Sequence, residues 1–260
     1  MSGQRPPLRI AMIPLLPGAN AATRTFCHGL LEHLAASGIT GRVLAPSGDR
    51  AYRLLHRAGG RARVPLAAVY WYGLVLPRRI VHLAVALRYD IVLVQRGMLR
   101  YASPPVLEAL LWLLAGKLLG RTVLYHCDDA LHTVANPRWY RARCRMAHWV
   151  ITGSEEVAAF AGAVNSQVWR FSAPIEVRRY PVRQHRASGR TIGWVGTLPD
   201  DSLPLVGGAL ARVCRERDVR VKVVSGRPFR LPELGERSVW EPWSPARRFS
   251  VFGDLDIGIM

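Results

Sequence analysis

Two groups of residues in this 260-residue chain have the types and spacing to do chemistry. The first is Gly193-Trp194-Val195-Gly196-Thr197, at the end of a short β-branched run that starts at Thr191. A strand that ends in glycines and opens a helix aims backbone N–H groups at a phosphate. The same pattern also makes a tight βα turn with no ligand, and spacing alone weighs the two evenly. Ser225-Gly226 closes the next apolar run and joins the phosphate-binding set. The second group is His126-Cys127-Asp128-Asp129, placed just past an apolar strand Thr122–Tyr125. Ligands of open α/β sheets bind at that edge. A histidine and two carboxylates there orient a hydroxyl or carry a proton; alternatively, Asp128 or Asp129 only caps the next helix.

Three weaker signals accompany these. The loop Pro17-Gly18-Ala19-Asn20 with Thr23 and Arg24 follows the first strand, where Gly18, Asn20 and Thr23 can hold an anion or an acceptor. Arg50, Arg53 and Arg57 recur at i, i+3 and i+7, as do Arg138, Arg141 and Arg145. Each set forms one helical stripe, either a solvated face or a contact for anionic lipid or a phosphorylated acceptor. His126, Cys127, His132, Cys144 and His148 match no metal-ligand spacing, so no metal is expected.

The net charge is +18, yet only Lys117 and Lys222 among the 36 basic residues are lysines. Residues 1–174 carry 21 basic and 8 acidic groups, so the excess lies mainly in the first part of the chain. Without a recognition motif beside the arginines, nucleic acid is not an expected partner. Four scattered cysteines read as reduced thiols. Arg5, Pro6, Pro7 and Arg9 break any secretory signal. The longest apolar helix candidate, Val106 to Leu119, falls short of the ~20 residues that span a bilayer. A cytoplasmic protein is expected, soluble or peripheral at the inner membrane face.

The elements that must position these residues alternate between apolar strands and amphipathic helices. Strands are predicted at Leu8–Ile13, Gly41–Ala45, Asp90–Gln95, Thr122–Tyr125, His148–Thr152 and Val168–Phe171. Helices are predicted over Ala21–Ala36, Arg50–His56, Trp71–Leu87 with a break at Pro77, Pro105–Leu119, and after a Ser154 cap. Residues 175–190 lack an apolar period and read as a linker. The grammar then restarts: strand Thr191–Val195, helix Leu205–Glu216, strand Arg220–Val224, an extended piece at Val239-Trp240, a helix Pro245–Phe252 and a strand Leu255–Met260. This is an α/β chain, with one doubly wound domain over 1–174 and an incomplete second one over 191–260.

In order and spacing, these segments resemble the GT-B-fold glycosyltransferases with retaining-type, group 4-like sequences. The likeness rests on Leu8–Asn20, Tyr89–Gln95, Tyr125–Ala130, His148–Glu155, Ile192–Thr197 and Asp254–Ile259. It implies two Rossmann-like domains, an acceptor side in the first and a nucleotide-diphosphate sugar in the second, with no metal or other cofactor. It implies a catalytic His126 near the donor sugar, and Gly193, Gly196 and Thr197 beneath the diphosphate. It implies a glycan or lipid-linked acceptor. Two departures stand out. Where relatives place an arginine and a lysine on the diphosphate, this chain has Leu198-Pro199-Asp200-Asp201. The family's paired-glutamate segment would fall beyond Met260, so a C-terminally truncated chain with weak activity by itself is expected. A nucleotide-sugar epimerase of the same fold, or a non-catalytic partial domain needing a partner chain, fits the same residues.

Overall fold

In the computed structural model the chain divides into two units, Met1–Ile175 and Glu176–Met260. The structure describes residues 7–57, 63–100, 102–173, 175, 177–182, 190–197 and 199–259. Residues 183–189 of the expected linker, Leu198, Met260 and the side chain of Arg57 lie outside the described residues.

The first unit holds six strands: β1 (Arg9–Pro14), β2 (Thr40–Val43), β3 (Ile91–Gln95), β4 (Thr122–Cys127), β5 (Trp149–Thr152) and β6 (Val168–Arg170). They lie in the order β2-β1-β3-β4-β5-β6, each pair parallel. The order reverses at β1, so the loops leaving β1 and β3 part at that point, where open α/β sheets hold their ligands. Apolar side chains on alternate residues serve opposite faces. On one face α4 (Leu76–Ala86), α5 (Val106–Leu111), α7 (Pro137–Met146) and α8 (Glu155–Gly162) bring Leu83, Leu111, Tyr140 and Val157 onto Val92, Val94, Val123 and Val150. On the other, a π-helical turn Thr23–Gly29 and α1 (Leu30–Ala35) lay Cys27, Leu30 and Leu34 on Ile10, Met12, Leu93 and Ile151.

The break expected at Pro77 does not occur. Helix α3 (Arg63–Ala68) runs through a π-helical stretch, Val69–Val75, into α4, with Pro77 in the first turn of α4. The π stretch closes with the Leu76 N–H on the Trp71 carbonyl, and this wider turn gives room to a ring that lacks an N–H. Its buried positions are Tyr70, Val75, Arg79, Leu83 and Ala86, one step of five and then steps of four, four and three.

The second unit is a parallel sheet of four strands: β7 (Thr191–Val195), β8 (Arg220–Ser225), β9 (Ser238–Pro242) and β10 (Ile257–Ile259), in the order β10-β7-β8-β9. Helix α9 (Pro199–Arg217) packs Leu203, Leu210 and Cys214 on Ile192, Trp194 and Val223. It starts at Pro199 rather than Leu205, with Asp200 and Asp201 in its first turn facing the positive helix end. The helix expected over 245–252 is instead two short 3₁₀ turns, Pro245–Arg247 and Ser250–Asp254. Asp256 seats β10 beside β7 by accepting from the N–H groups of Arg190 (2.8 Å) and Thr191 (2.9 Å). Both units are Rossmann-like.

Candidate functional site

In the first unit the residues after β3 and β4 meet. Arg96 follows β3 in a left-handed conformation (φ 64°), and Gly97 comes next at φ 146°. A non-glycine residue held there costs ~1–3 kcal/mol, which the contacts it gains offset. The Arg96 N–H donates to the His126 carbonyl (2.8 Å), and its own carbonyl accepts from the Tyr125 hydroxyl (3.2 Å). Its guanidinium donates to both oxygens of Asp128, Nε to Oδ1 at 2.7 Å and Nη2 to Oδ2 at 2.8 Å, and also lies 2.7 Å from Asp129 Oδ2. Sequence reasoning missed Arg96, although an Arg-Gly pair closing an apolar strand is a turn signal.

Burial opposes the charge on Asp128, but the Arg96 hydrogen bonds and charge prevail and hold its carboxyl below the usual carboxylate range. Asp129 moves the other way: burial raises it, Arg96 lowers it and the neighbouring Asp128 raises it again, with a net rise. Its side chain is 54% exposed against 15% for Asp128, so Asp129 is the carboxylate open to a ligand. Neither acid caps α6 (Leu131–Val134), which has no side-chain cap.

His126 does not lie beyond the strand as expected. The ladder continues through Gln95↔His126 and Cys127↔Thr152, so β4 ends at Cys127. His126 is 2% exposed, its ring centroid 4.1 Å from that of Phe26. Neither ring nitrogen has a hydrogen-bond partner among the described residues. Burial pushes its pKa down to about 4, against Asp128, which raises it, and with Arg96, which lowers it. The imidazole is neutral at neutral pH. Burial likewise lifts the Cys127 thiol to about 11, leaving it protonated and unreactive.

The loop after β1 is largely occupied with itself. The Ala19 N–H donates to Asp49 (2.7 Å), the first residue of α2 (Asp49–Arg57); Asn20 Oδ1 accepts from the Ala22 N–H (3.0 Å), and Arg24 donates to the carbonyls of Gly18 and Ala19. Thr23, expected on the acceptor side, is buried and donates to the Leu16 carbonyl (2.9 Å), because the helix begins there and turns it inward. Gly18 and Asn20 remain at the surface of the loop.

Two buried arginines set this edge, and sequence reasoning missed both. Arg79 is fully buried; it donates to the carbonyls of Met98 (2.6 Å), Leu44 (2.8 Å) and Pro14, tying the end of β1 to the loops after β2 and β3. Arg143 meets Glu108 at 2.8 Å and donates to the Ser103 carbonyl, while Glu108 accepts from the Met98 N–H (3.0 Å). The expected surface arginines Arg50, Arg53, Arg138, Arg141 and Arg145 are exposed. Among the described residues, no group of three His, Cys, Asp or Glu side chains is placed to hold a metal. No helix among them is long and apolar enough to cross a membrane.

In the second unit the glycines of the Gly193–Thr197 segment lie against the protein's own side chains. Gly193 lies inside β7, opposite Gly258 and Lys222, and a Cβ there would come within 2.3 Å of Leu255. Gly196 donates its N–H to the Val224 carbonyl (3.1 Å), and a Cβ on it would lie 2.4 Å from the Trp194 indole. Both glycines therefore make room for the protein's own side chains. Ser225 is buried, donating to the Arg227 carbonyl (2.6 Å) and accepting from the Trp240 indole N–H (3.0 Å). Thr197, beyond β7, and Gly226, beyond β8, are exposed. Nearby, Arg227 pairs with Asp200 of the α9 first turn.

No protein-family model matches the chain, and no curated protein matches it. Solved structures do. It is similar to HepE of Anabaena in complex with UDP and glucose, at 12% identity over 96% of this chain and 73% of that one, TM-score 0.62. It is similar to the catalytic domain of starch synthase IV of Arabidopsis thaliana bound to ADP and acarbose, at 9% identity over 97% and 78%, TM-score 0.63. A glycosyltransferase from Rickettsia africae gives 11% identity over 98% and 73%, TM-score 0.59. At these identities the likeness is one of fold, and the fold is that of the GT-B glycosyltransferases, with Rossmann-like sheets of six and four strands.

Proposed function

We propose that this chain is a glycosyltransferase of the retaining, group 4-like kind, moving a sugar from a nucleotide-diphosphate donor to a glycan or lipid-linked acceptor. The fold carries this reading: structures that share it hold UDP or ADP. The diphosphate lies at the ends of β7 and β8, against Thr197 and Gly226, with Gly193, Gly196 and Ser225 as the packing behind them. The acceptor lies on the first unit by Gly18, Asn20 and Asp129. Asp129 takes the acceptor hydroxyl, Arg96 and Asp128 hold it in place, and the neutral His126 supports that edge from beneath Phe26. Charge that builds on the leaving diphosphate is stabilised by fixed donors rather than by water.

Titration calorimetry with UDP, ADP and GDP, followed by a transfer assay with the sugars of whichever nucleotide binds, tests this. A nucleoside diphosphate binds, and Thr197→Glu weakens it at least about tenfold by setting a carboxylate against the phosphates. Asp129→Asn lowers transfer while leaving nucleotide affinity unchanged. If none of the three nucleotides binds, or if Thr197→Glu binds like the parent, the assignment fails.

A further inference from the structure

From Arg50 to Tyr89 the chain carries eight arginines and no acidic residue. Up to Cys127 only two acids follow: Asp90, held between Arg9 and Arg121, and Glu108, buried against Arg143. The helical segment from Arg63 to Ala86 thus presents cations to solvent with no carboxylate in its sequence. Arg50, Arg53, Arg63, Arg78 and Arg88 are all exposed.

The same layer exposes apolar side chains where a water-facing helix carries polar ones. Along α3, the π stretch and α4, the side opposite the buried Tyr70, Val75 and Leu83 shows Val64 (76% exposed), Val69 (67%), Tyr72 (57%), Ile80 (57%) and Val81 (60%). Arg63 and Arg78 stand among them.

We propose that this helical face, Arg63 to Val81, lies on an anionic lipid bilayer, its valines, isoleucine and tyrosine in the interfacial region and its arginines on lipid phosphates. Apolar side chains beside cations, with no anion between them, match a surface that is apolar beneath and negative above. A second copy of this chain is a poor occupant, because a two-fold contact through this face sets arginine against arginine. The face differs from the two arginine stripes legible in the sequence, since its apolar members become visible only once burial is known. The inference stands independently of the donor and acceptor assignments.

Co-sedimentation of the full chain with phosphatidylglycerol–phosphatidylcholine vesicles, and with phosphatidylcholine vesicles alone, tests it. Binding requires the anionic lipid and weakens with salt. Val69→Asp with Val81→Asp lowers the partition coefficient at least about tenfold. Arg63→Glu and Arg78→Glu each lower it roughly fivefold or more. Arg212→Glu, the same charge change on the exposed side of α9, leaves it within about twofold. Circular dichroism and the thermal midpoint confirm that the variants fold, as expected for exposed positions. Binding that ignores anionic lipid, a Val69/Val81 variant that binds like the parent, or Arg212→Glu lowering binding as much as Arg63→Glu overturns the proposal. So does a concentration-dependent dimer on size exclusion that the Val69/Val81 substitutions abolish in a chain that does not bind vesicles.

Discussion

Leu255 fills the space beside Gly193 that the Cβ of any other residue would need, its Cδ atoms 2.3 Å from that point. Leu255 is itself 8% exposed, so it has little freedom to withdraw. The two residues come from β7 and from the turn before β10, and their fit holds those strands in register.

Gly193→Ala is therefore expected to destabilise the second unit by ~1–3 kcal/mol through overpacking. Leu255→Ala alone costs about 2–5 kcal/mol for the cavity it leaves. The double variant is less destabilised than the sum of the two, by about 0.5–3 kcal/mol, because each change relieves the other. Urea unfolding of the three variants measures this coupling; simple additivity would mean that Gly193 serves something other than Leu255.

Arg96→Gln removes the cation between Asp128 and Asp129 and is expected to cost about 3 kcal/mol at pH 7. The cost depends on pH. In the parent, the depressed Asp128 pKa contributes stability that is present above the unfolded value of ~3.9 and lost as pH falls through its folded value. In the variant, burial and mutual repulsion raise both carboxyls, so stability is lost as pH rises through those raised values. The gap between parent and variant is thus wide at pH 7 and narrows toward pH 4. Denaturant unfolding at the two pH values reads it directly; an equal gap at both would place the loss elsewhere than in the carboxylates.

His126 and His82 make the fold sensitive to mild acid. Burial brings both pKa values down to about 4, that of His82 with help from Arg79, Arg78 and Arg42. Because the unfolded chain titrates near 6.5, it binds more protons than the folded one between pH 6.5 and 4, and stability falls as pH drops through that window. For His126 the loss approaches about 3 kcal/mol by pH 4. His126→Gln is expected to shallow the slope of unfolding free energy against pH by about one proton. An unchanged slope would show that His126 is hydrated or partnered in solution.

The parallel sheets were legible in the sequence because strands covered on both faces read as nearly unbroken apolar runs, such as Ile91–Val94 and Val221–Val224. The site was less so. Arg79 sits beside Arg78, and Arg143 between Arg141 and Arg145; nothing in such a run says which guanidinium turns inward. The π stretch adds to this, since a step of five between Tyr70 and Val75 breaks the helical period used to find buried positions. Gly193 was ambiguous for a different reason. A glycine that makes room for a phosphate and one that makes room for a leucine far along the chain look alike until the chain has folded.

The five-residue step between Tyr70 and Val75 bears on how this chain tolerates changes in length. A helix that widens for one turn and then resumes its course has taken in a surplus residue without re-facing either end. Deleting Gly73, an exposed residue of that turn, leaves Tyr70 and Val75 four apart, the spacing of an ordinary α-helix, so Arg79 still faces its three carbonyls, at a cost of ~3 kcal/mol for closing the turn that makes room for Pro77. The same deletion at Ile80 or Val81 has no surplus to draw on and turns Leu83 and Ala86 away from the sheet by about 100°. One helix thus holds, a few residues apart, a place where the chain can shorten and a place where it cannot.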